Sequence, residues 1–175
     1  MMPSNRRMLT GAGKGLVAGA VGVAVMTLGE KVEQAFTHRP NSFVPAHTLE
    51  RLLGLASKPD AQRRGFNLAM HWGQGIALGA LRGVMAEGGP RGPWASAMVT
   101  VVRLTADQTQ ENITGVGAPP WTWPRSELLT DLLHKGIYGF ATGVVADRLA
   151  RPEPVWVQAR RDHSDPLHHP QGGVG

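Results

Sequence analysis

Ionisable residues recur at helical spacing in four separate segments of this chain, so that within each segment they fall on one face of a helix. The candidate functional residues from these segments are Glu30, His71, Arg103, Asp107, Glu111, Asp131, His134 and Tyr138. Imidazoles and carboxylates can transfer protons, and they also bind Zn²⁺ or Fe²⁺. The residue types therefore indicate proton or ion handling, or a metal site, wherever the segments bring these side chains together.

The spacing along the chain predicts that the four segments do bring them together. The residues that bound each segment are separated by roughly 14 to 16 positions, or about 21–24 Å of α-helix. If neighbouring helices run in opposite directions, Glu30, His71, Asp107 and His134 fall in one layer near one end of a bundle. Next to this layer the segments consist mainly of Gly, Ala, Val and Leu.

The simplest interpretation of this polar layer is structural. Arg103 would pair with Asp107 or Glu30, and Asp131 would orient a histidine, so that the layer sets the register of the helices. A second interpretation is a path for protons or ions, because ionisable groups inside membrane helices are costly and usually functional. Both interpretations require these side chains to face the interior of the bundle.

A third interpretation is a metal site. His71, His134 and Asp107 would together hold a single Zn or Fe ion, and the protein would then be a metal-dependent membrane enzyme. A di-iron site of the kind built into helical bundles needs the Glu-x-x-His motif twice, whereas this chain offers only Asp131-x-x-His134.

The elements that must position these side chains are predicted to be four long helices in one all-α, antiparallel four-helix bundle. The predicted helices cover residues 12–36, 65–87, 94–112 and 126–150. A shorter amphipathic helix is predicted over residues 46–55, inside the long connection 37–64. Residues 1–11 are expected to form a flexible head. Residues 151–175, which are rich in Pro, Gly and His, are expected to form a disordered tail.

Glycine spacing favours a membrane protein. An interior glycine costs a soluble helix about 1 kcal/mol relative to alanine, whereas membrane helices use the G-x-x-x-G frame to bring backbones close together. Three of the predicted helices contain such glycines, and Gly79 and Gly139 are expected at helix–helix contacts. No stretch reaches the ~18 uncharged apolar residues of a typical membrane span. A membrane bundle therefore requires the polar layer to face inward, and a soluble bundle with a structural polar layer is the alternative.

Composition narrows the function classes. The chain carries a formal charge of +5, but its basic residues are scattered and do not alternate with stacking aromatic residues, so nucleic acid is not an expected partner. Cysteine is absent, which excludes disulfides and thiolate metal sites. Membrane lipids are the expected partners, and a homo-oligomer is left open.

Several motifs resemble those of a known group of proteins. A Gly/Ala-rich first helix ends in Glu-Lys-Val-Glu at residues 30–33, and the next long helix contains His-Trp-Gly at residues 71–73. The loop Ala-Pro-Pro-Trp-Thr-Trp-Pro at residues 118–124 then leads into Glu127 and His134. This order resembles small uncharacterised bacterial membrane proteins and, more distantly, the YagU-type inner-membrane proteins linked to acid resistance. The resemblance implies a multi-pass protein of the inner or plasma membrane, and it carries over no catalytic residue.

The sequence thus predicts a small integral membrane protein that handles protons, ions or a lipid-like ligand through a polar layer at one end of a helical bundle. The metal-dependent membrane enzyme and the soluble bundle remain as alternatives.

Overall fold

The computed structural model describes residues 5–56 and 59–150, and over these residues the chain is helical, without β-strands. The helices are α1 (Asn5–Thr37), α2 (Val44–Leu52), α3 (Arg64–Gly88), α4 (Gly92–Ile113) and α5 (Arg125–Leu149). Single 3-10 turns occur at Asp60–Gln62 and Pro120–Thr122. The all-α prediction is confirmed, and the structure is compatible with a helical bundle.

The start of α1 corrects one sequence-based expectation. Residues 1–11 are predicted to form a flexible head, but α1 begins at Asn5, so the described part of this head is helical. Contacts with α3 account for the difference, because Arg7 Nε lies 3.4 Å from a carboxylate oxygen of Glu87 and Gly11 packs against the backbone of Gly83. The predicted tail at residues 151–175 lies outside the described residues.

Glycines bring α1 and α3 into direct backbone contact. The two helices run in opposite directions, so that Gly15 lies beside Gly79 and Gly19 lies beside Gly75. A Cβ atom at position 79 would overlap the backbone of Gly15 and Gly19. A side chain at either surface would therefore push the helices apart, as expected for small-residue packing.

Glycines of α5 make the next contacts. Gly139 and Gly143 face the side chains of Thr100 and Ser96 on α4, which runs in the opposite direction. On its other side α5 packs against α1, where Gly22 faces Thr142. The helix–helix contacts expected for Gly79 and Gly139 are thus present in the structure.

The connection between α1 and α3 folds back over one end of the helices. Arg63, just before α3, donates to Glu50 of α2 through Nε at 3.1 Å, and both side chains are buried. Asn67 of α3 accepts a hydrogen bond from the backbone nitrogen of Ala46 at 3.2 Å. These bonds hold α2 against the beginning of α3, at the end of the molecule that carries the predicted polar layer.

By length and composition, α1 is the one helix within the described residues that is apolar enough to cross a membrane. Core helices of soluble proteins and signal sequences can meet the same criterion, so this property by itself leaves both the membrane bundle and the soluble bundle open.

Candidate functional site

A cavity of about 520 Å³ lies at the end of the bundle where α1 ends and α5 begins. Every sequence-predicted candidate except Tyr138 lines it, namely Glu30, His71, Arg103, Asp107, Glu111, Asp131 and His134. Segments of the two connections, residues 39–48 and 116–123, complete the wall. The structure thus brings together side chains from α1, α3, α4 and α5 that are far apart in the sequence.

The floor of the cavity is a chain of alternating charges. Asp107 Oδ2 lies 3.5 Å from Arg103 Nε and 3.2 Å from Lys135 Nζ, and Lys135 also donates to Asp131 Oδ2 at 2.9 Å. Arg103, Asp107 and Lys135 are each less than one-tenth exposed. We call Arg103, Asp107, Asp131 and Lys135 the floor cluster, and its formal charges sum to zero.

Tyr138 lies behind the floor rather than in the cavity wall. The guanidinium carbon of Arg103 is 4.4 Å from the centre of the Tyr138 ring, a cation–π arrangement. The Tyr138 hydroxyl donates to the carbonyl oxygen of Gly75 at 2.6 Å. Because the ring is fully buried and anchored to α3, it positions Arg103 instead of offering its own hydroxyl to the cavity.

Several residues that line the cavity have a buried polar atom that makes no hydrogen bond to any described residue. These atoms are Nη1 of Arg103, Oδ1 of Asp107, and Nε2 of both His71 and His134. Most buried polar atoms in proteins have a hydrogen-bond partner. Each of these atoms is closed off from solvent in the structure, so a ligand in the cavity reaches them only if neighbouring side chains move.

The mouth of the cavity is acidic. Glu30 and Glu127 line it and are more exposed than the buried members of the floor cluster. Arg39 also lines the mouth, but it binds Glu33 through Nη2 at 2.9 Å and Nε at 3.2 Å. These hydrogen bonds raise the pKa of Arg39, so its charge persists and remains paired. The mouth therefore favours cationic groups, whereas the charges of the floor cluster compensate one another.

The predicted metal set is not formed. Within residues 5–56 and 59–150, no three histidine, aspartate or glutamate side chains are grouped so that they could hold a metal ion. His71, His134 and Asp107 line the same cavity, but Asp107 is occupied by the cations of Arg103 and Lys135. These two positive charges satisfy the carboxylate and would repel a divalent ion.

Asp131 has a different partner from the one that the sequence suggests. The structural interpretation has Asp131 orienting a histidine, but Asp131 accepts a hydrogen bond from Lys135, one helical turn along α5. His134 points toward α1, where its Nε2 lies 4.0 Å from a carboxylate oxygen of Glu33. Lys135 was the missed residue, and its i,i+4 spacing from Asp131 is the signal that could have found it.

A second group of buried charges lies at the opposite end of the bundle, and the sequence reasoning missed it. Arg82 is fully buried and donates to Asp147 at 2.6 Å, and the backbone nitrogen of Gly92 donates to the same carboxylate at 2.8 Å. Glu87 is also buried and accepts a hydrogen bond from Lys14 at 2.7 Å. The available signal was the presence of Arg82 and Glu87 on the same helix as the packed glycines.

Comparison with protein families, curated proteins and solved structures found no match to this chain. The resemblance to YagU-type proteins stays a prediction.

Proposed function

We propose that this protein is an integral membrane protein whose cavity binds a small hydrophilic ligand carrying both an anionic and a cationic group. In this proposal the four long helices form an antiparallel bundle across the inner or plasma membrane, and the cavity opens at one face of that membrane. The observation that carries the proposal is the distribution of charge, because the ionisable side chains of the long helices are buried or only partly exposed, while the fully exposed positions between the helix ends are uncharged.

The outer surface can be followed along each helix. Between Arg6 and Lys31 of α1, and between Glu127 and Arg148 of α5, no charged residue is more than about one-third exposed, and Lys14 and Asp131 reach 28% and 27%. No charged residue is exposed in α3 after Arg64, and α4 carries none along its whole length. These stretches correspond to roughly 30–37 Å of helix, which matches a hydrocarbon core of about 30 Å.

Large apolar side chains make up most of the exposed surface of this belt. The belt includes Leu16, Val17, Val21, Val25, Leu28, Leu81, Met98, Val101, Val102, Leu129, Leu132, Leu133, Phe140 and Val144. Trp94 and Trp121, which are 79% and 84% exposed, lie near its two ends, as interfacial tryptophans do in membrane proteins. A water-soluble protein usually places charges outside and avoids burying them, so the observed pattern supports a lipid environment.

The charge gradient of the cavity determines the kind of ligand. Arg103, whose buried Nη1 has no hydrogen-bond partner among the described residues, lies at the floor, whereas the carboxylates of Glu30 and Glu127 lie at the mouth. A zwitterion would place its anionic group against Arg103 and its ammonium group toward these carboxylates. The volume of about 520 Å³ lies within the range of small-molecule sites.

Binding to the detergent-purified full chain tests this proposal. The probe is phosphoethanolamine, with inorganic phosphate and ethanolamine as controls that each carry one half of the charge pattern. We expect phosphoethanolamine to raise the midpoint of thermal unfolding more than either control at equal concentration. Arg103→Gln should abolish this increase, whereas Arg148→Gln, which alters an exposed arginine outside the cavity, should retain it. An equal response to all three compounds would contradict the proposal.

Proton transfer is a second candidate function. It is favoured by the continuous chain of ion pairs that runs from Asp131 through Lys135 and Asp107 to Arg103. Two histidines, His71 and His134, line the same cavity. In vesicles loaded with a pH-sensitive dye, this function would appear as proton flux that is lost in Asp107→Asn. Proton flux equal to that of protein-free vesicles would contradict this second function.

A further inference from the structure

A second cavity, of about 430 Å³, lies between α4 and α5 on the outer surface of the bundle. Its wall includes the exposed residues Thr109, Asn112, Trp121 and Leu128, so it faces the surroundings of the protein. We call this cavity the α4–α5 groove. Asp131 and Trp123 line both the groove and the polar cavity, so the two spaces are separated by little more than these side chains.

Helix packing explains why the groove opens at this end. Near the start of α4, Gly139 and Gly143 of α5 lie directly against Thr100 and Ser96. Toward the end of α4, the two helices are joined by the long side chain of Lys135, which reaches Asp107 at 3.2 Å. The change from glycine contacts to a side-chain bridge leaves space between the helices beside the polar cavity.

The groove combines apolar walls with hydrogen-bond acceptors. Leu104, Leu128 and Trp121 provide apolar surface on the side that the proposed function places in the membrane. Oε1 of Gln108 is buried and makes no hydrogen bond to any described residue. Asp131 lines the groove where it adjoins the polar cavity, while the apolar walls suit a hydrocarbon chain.

We propose that the ligand of the polar cavity is an amphiphile with a zwitterionic headgroup, and that it enters sideways from the bilayer through the α4–α5 groove. This inference rests on the proposed function. The headgroup occupies the polar cavity, with its anionic part near Arg103, and the chain remains against Leu104, Leu128 and Trp121. A free zwitterion and a lipid headgroup share the same polar chemistry, and only the lipid uses the groove.

The test compares phosphatidylethanolamine with free phosphoethanolamine on the detergent-purified full chain. We expect the lipid to bind at least about tenfold more tightly than the free headgroup, because its chain adds apolar contact. Leu128→Trp fills the groove and should weaken lipid binding by about tenfold or more, while phosphoethanolamine binding stays unchanged and shows that the variant is folded. Leu129→Trp, at an exposed neighbouring position outside the groove, is the matched control and should change neither affinity.

A second variant distinguishes loss of the groove from a local disturbance caused by the added tryptophan side chain. Trp121→Ala removes a wall without adding bulk, and it should also weaken binding of the lipid selectively. The inference is overturned if the lipid binds no more tightly than phosphoethanolamine, if Leu128→Trp and Leu129→Trp behave alike, or if phosphatidylglycerol binds as well as phosphatidylethanolamine. In each of these outcomes phosphoethanolamine binding can still stand, so that the proposed function survives. Loss of binding by both compounds would overturn the two proposals together.

Discussion

Asp107 and Lys135 connect the charges of the cavity floor across two helices. Asp107 lies near Arg103 on its own helix and near Lys135 on α5, and Lys135 in turn binds Asp131. Each charge therefore depends on a neighbour for compensation in a poorly solvated place. Removal of one member leaves an uncompensated charge, whereas removal of an opposite pair leaves the remainder balanced.

We predict that Asp107→Asn lowers the free energy of unfolding by about 3–5 kcal/mol, because Arg103 and Lys135 then share a single carboxylate in a buried site. Glu127→Gln is the control. It changes an exposed carboxylate at the mouth and should cost less than about 1 kcal/mol. Denaturant unfolding in detergent measures both variants, and equal losses would show that the floor cluster is solvated.

The double variant Asp107→Asn/Lys135→Met sharpens this prediction. It removes one charge of each sign, so we expect it to be more stable than Asp107→Asn alone, although it carries an additional substitution. The coupling energy from the four proteins of this cycle measures the interaction between Asp107 and Lys135. A coupling energy of zero would contradict the direct pairing that the 3.2 Å distance indicates.

At the scale of helices, glycines determine which neighbours come close. The backbones of α1 and α3 touch along Gly15, Gly19 and Gly79, whereas α5 meets α4 at Gly139 and Gly143. Other glycines on the same helices, including Gly73 of α3 and Gly136 of α5, have open space where a Cβ atom would lie. Gly73 and Gly136 can therefore serve as control positions for Gly79 and Gly139, because each lies on the same helix within two turns.

We predict that Gly79→Leu destabilises the protein by more than about 1–3 kcal/mol, because even a Cβ atom would overlap the backbone of α1. Gly73→Leu should be neutral or slightly stabilising, since leucine favours the helix by close to 1 kcal/mol over glycine and its Cβ atom has no neighbour within 4 Å. Thermal unfolding of the two variants is the measurement. Equal midpoints would contradict the close contact between α1 and α3.

Gly139→Leu and Gly136→Leu repeat this comparison on α5. A side chain at Gly139 would collide with Thr100, whereas a Cβ atom at position 136 would have no neighbouring atom within 4 Å. We expect only Gly139→Leu to lower the unfolding midpoint, because it alone must separate α4 from α5. A similar decrease of the unfolding midpoint in both variants would mean that leucine disturbs α5 itself and not its contact with α4.

At the scale of the whole molecule, the polar interior and the apolar exterior together argue for a lipid environment. The natural absence of cysteine allows a direct test, since a single introduced cysteine is then the sole thiol. Val101 is 59% exposed on the belt, whereas Thr130 of α5 and the exposed Asn41 of the connection both line the cavity. In the proposed arrangement, these positions distinguish the lipid face from the water-filled cavity.

We predict that a charged, membrane-impermeant thiol reagent modifies Asn41→Cys and Thr130→Cys in open membrane fragments but not Val101→Cys. The lipid would shield the belt, whereas water would reach the cavity. After solubilisation in denaturant all three cysteines should react. If Val101→Cys reacts as fast as Asn41→Cys before solubilisation, the soluble bundle is correct.

Local rules were sufficient to predict the elements and the height of each polar side chain. Apolar periodicity and the Pro/Gly breaks near residues 38–63, 89–93 and 115–124 mark the helix ends, because these effects act within a few residues. The fixed rise of about 1.5 Å per residue then places Glu30, Asp107 and His134 at similar heights by arithmetic alone. The convergence of the candidate residues around one cavity follows from that regularity.

Only the tertiary structure determined which side chains are partners. Rotation about each helix axis depends on the glycine contacts, and those contacts turn Lys135 toward Asp107 and His134 toward Glu33. The same contacts bury Arg82 beside Asp147 and open the groove beside Asp131. The spacing of residues in a sequence specifies height and face within one helix, but the choice of a neighbour depends on how two surfaces fit together.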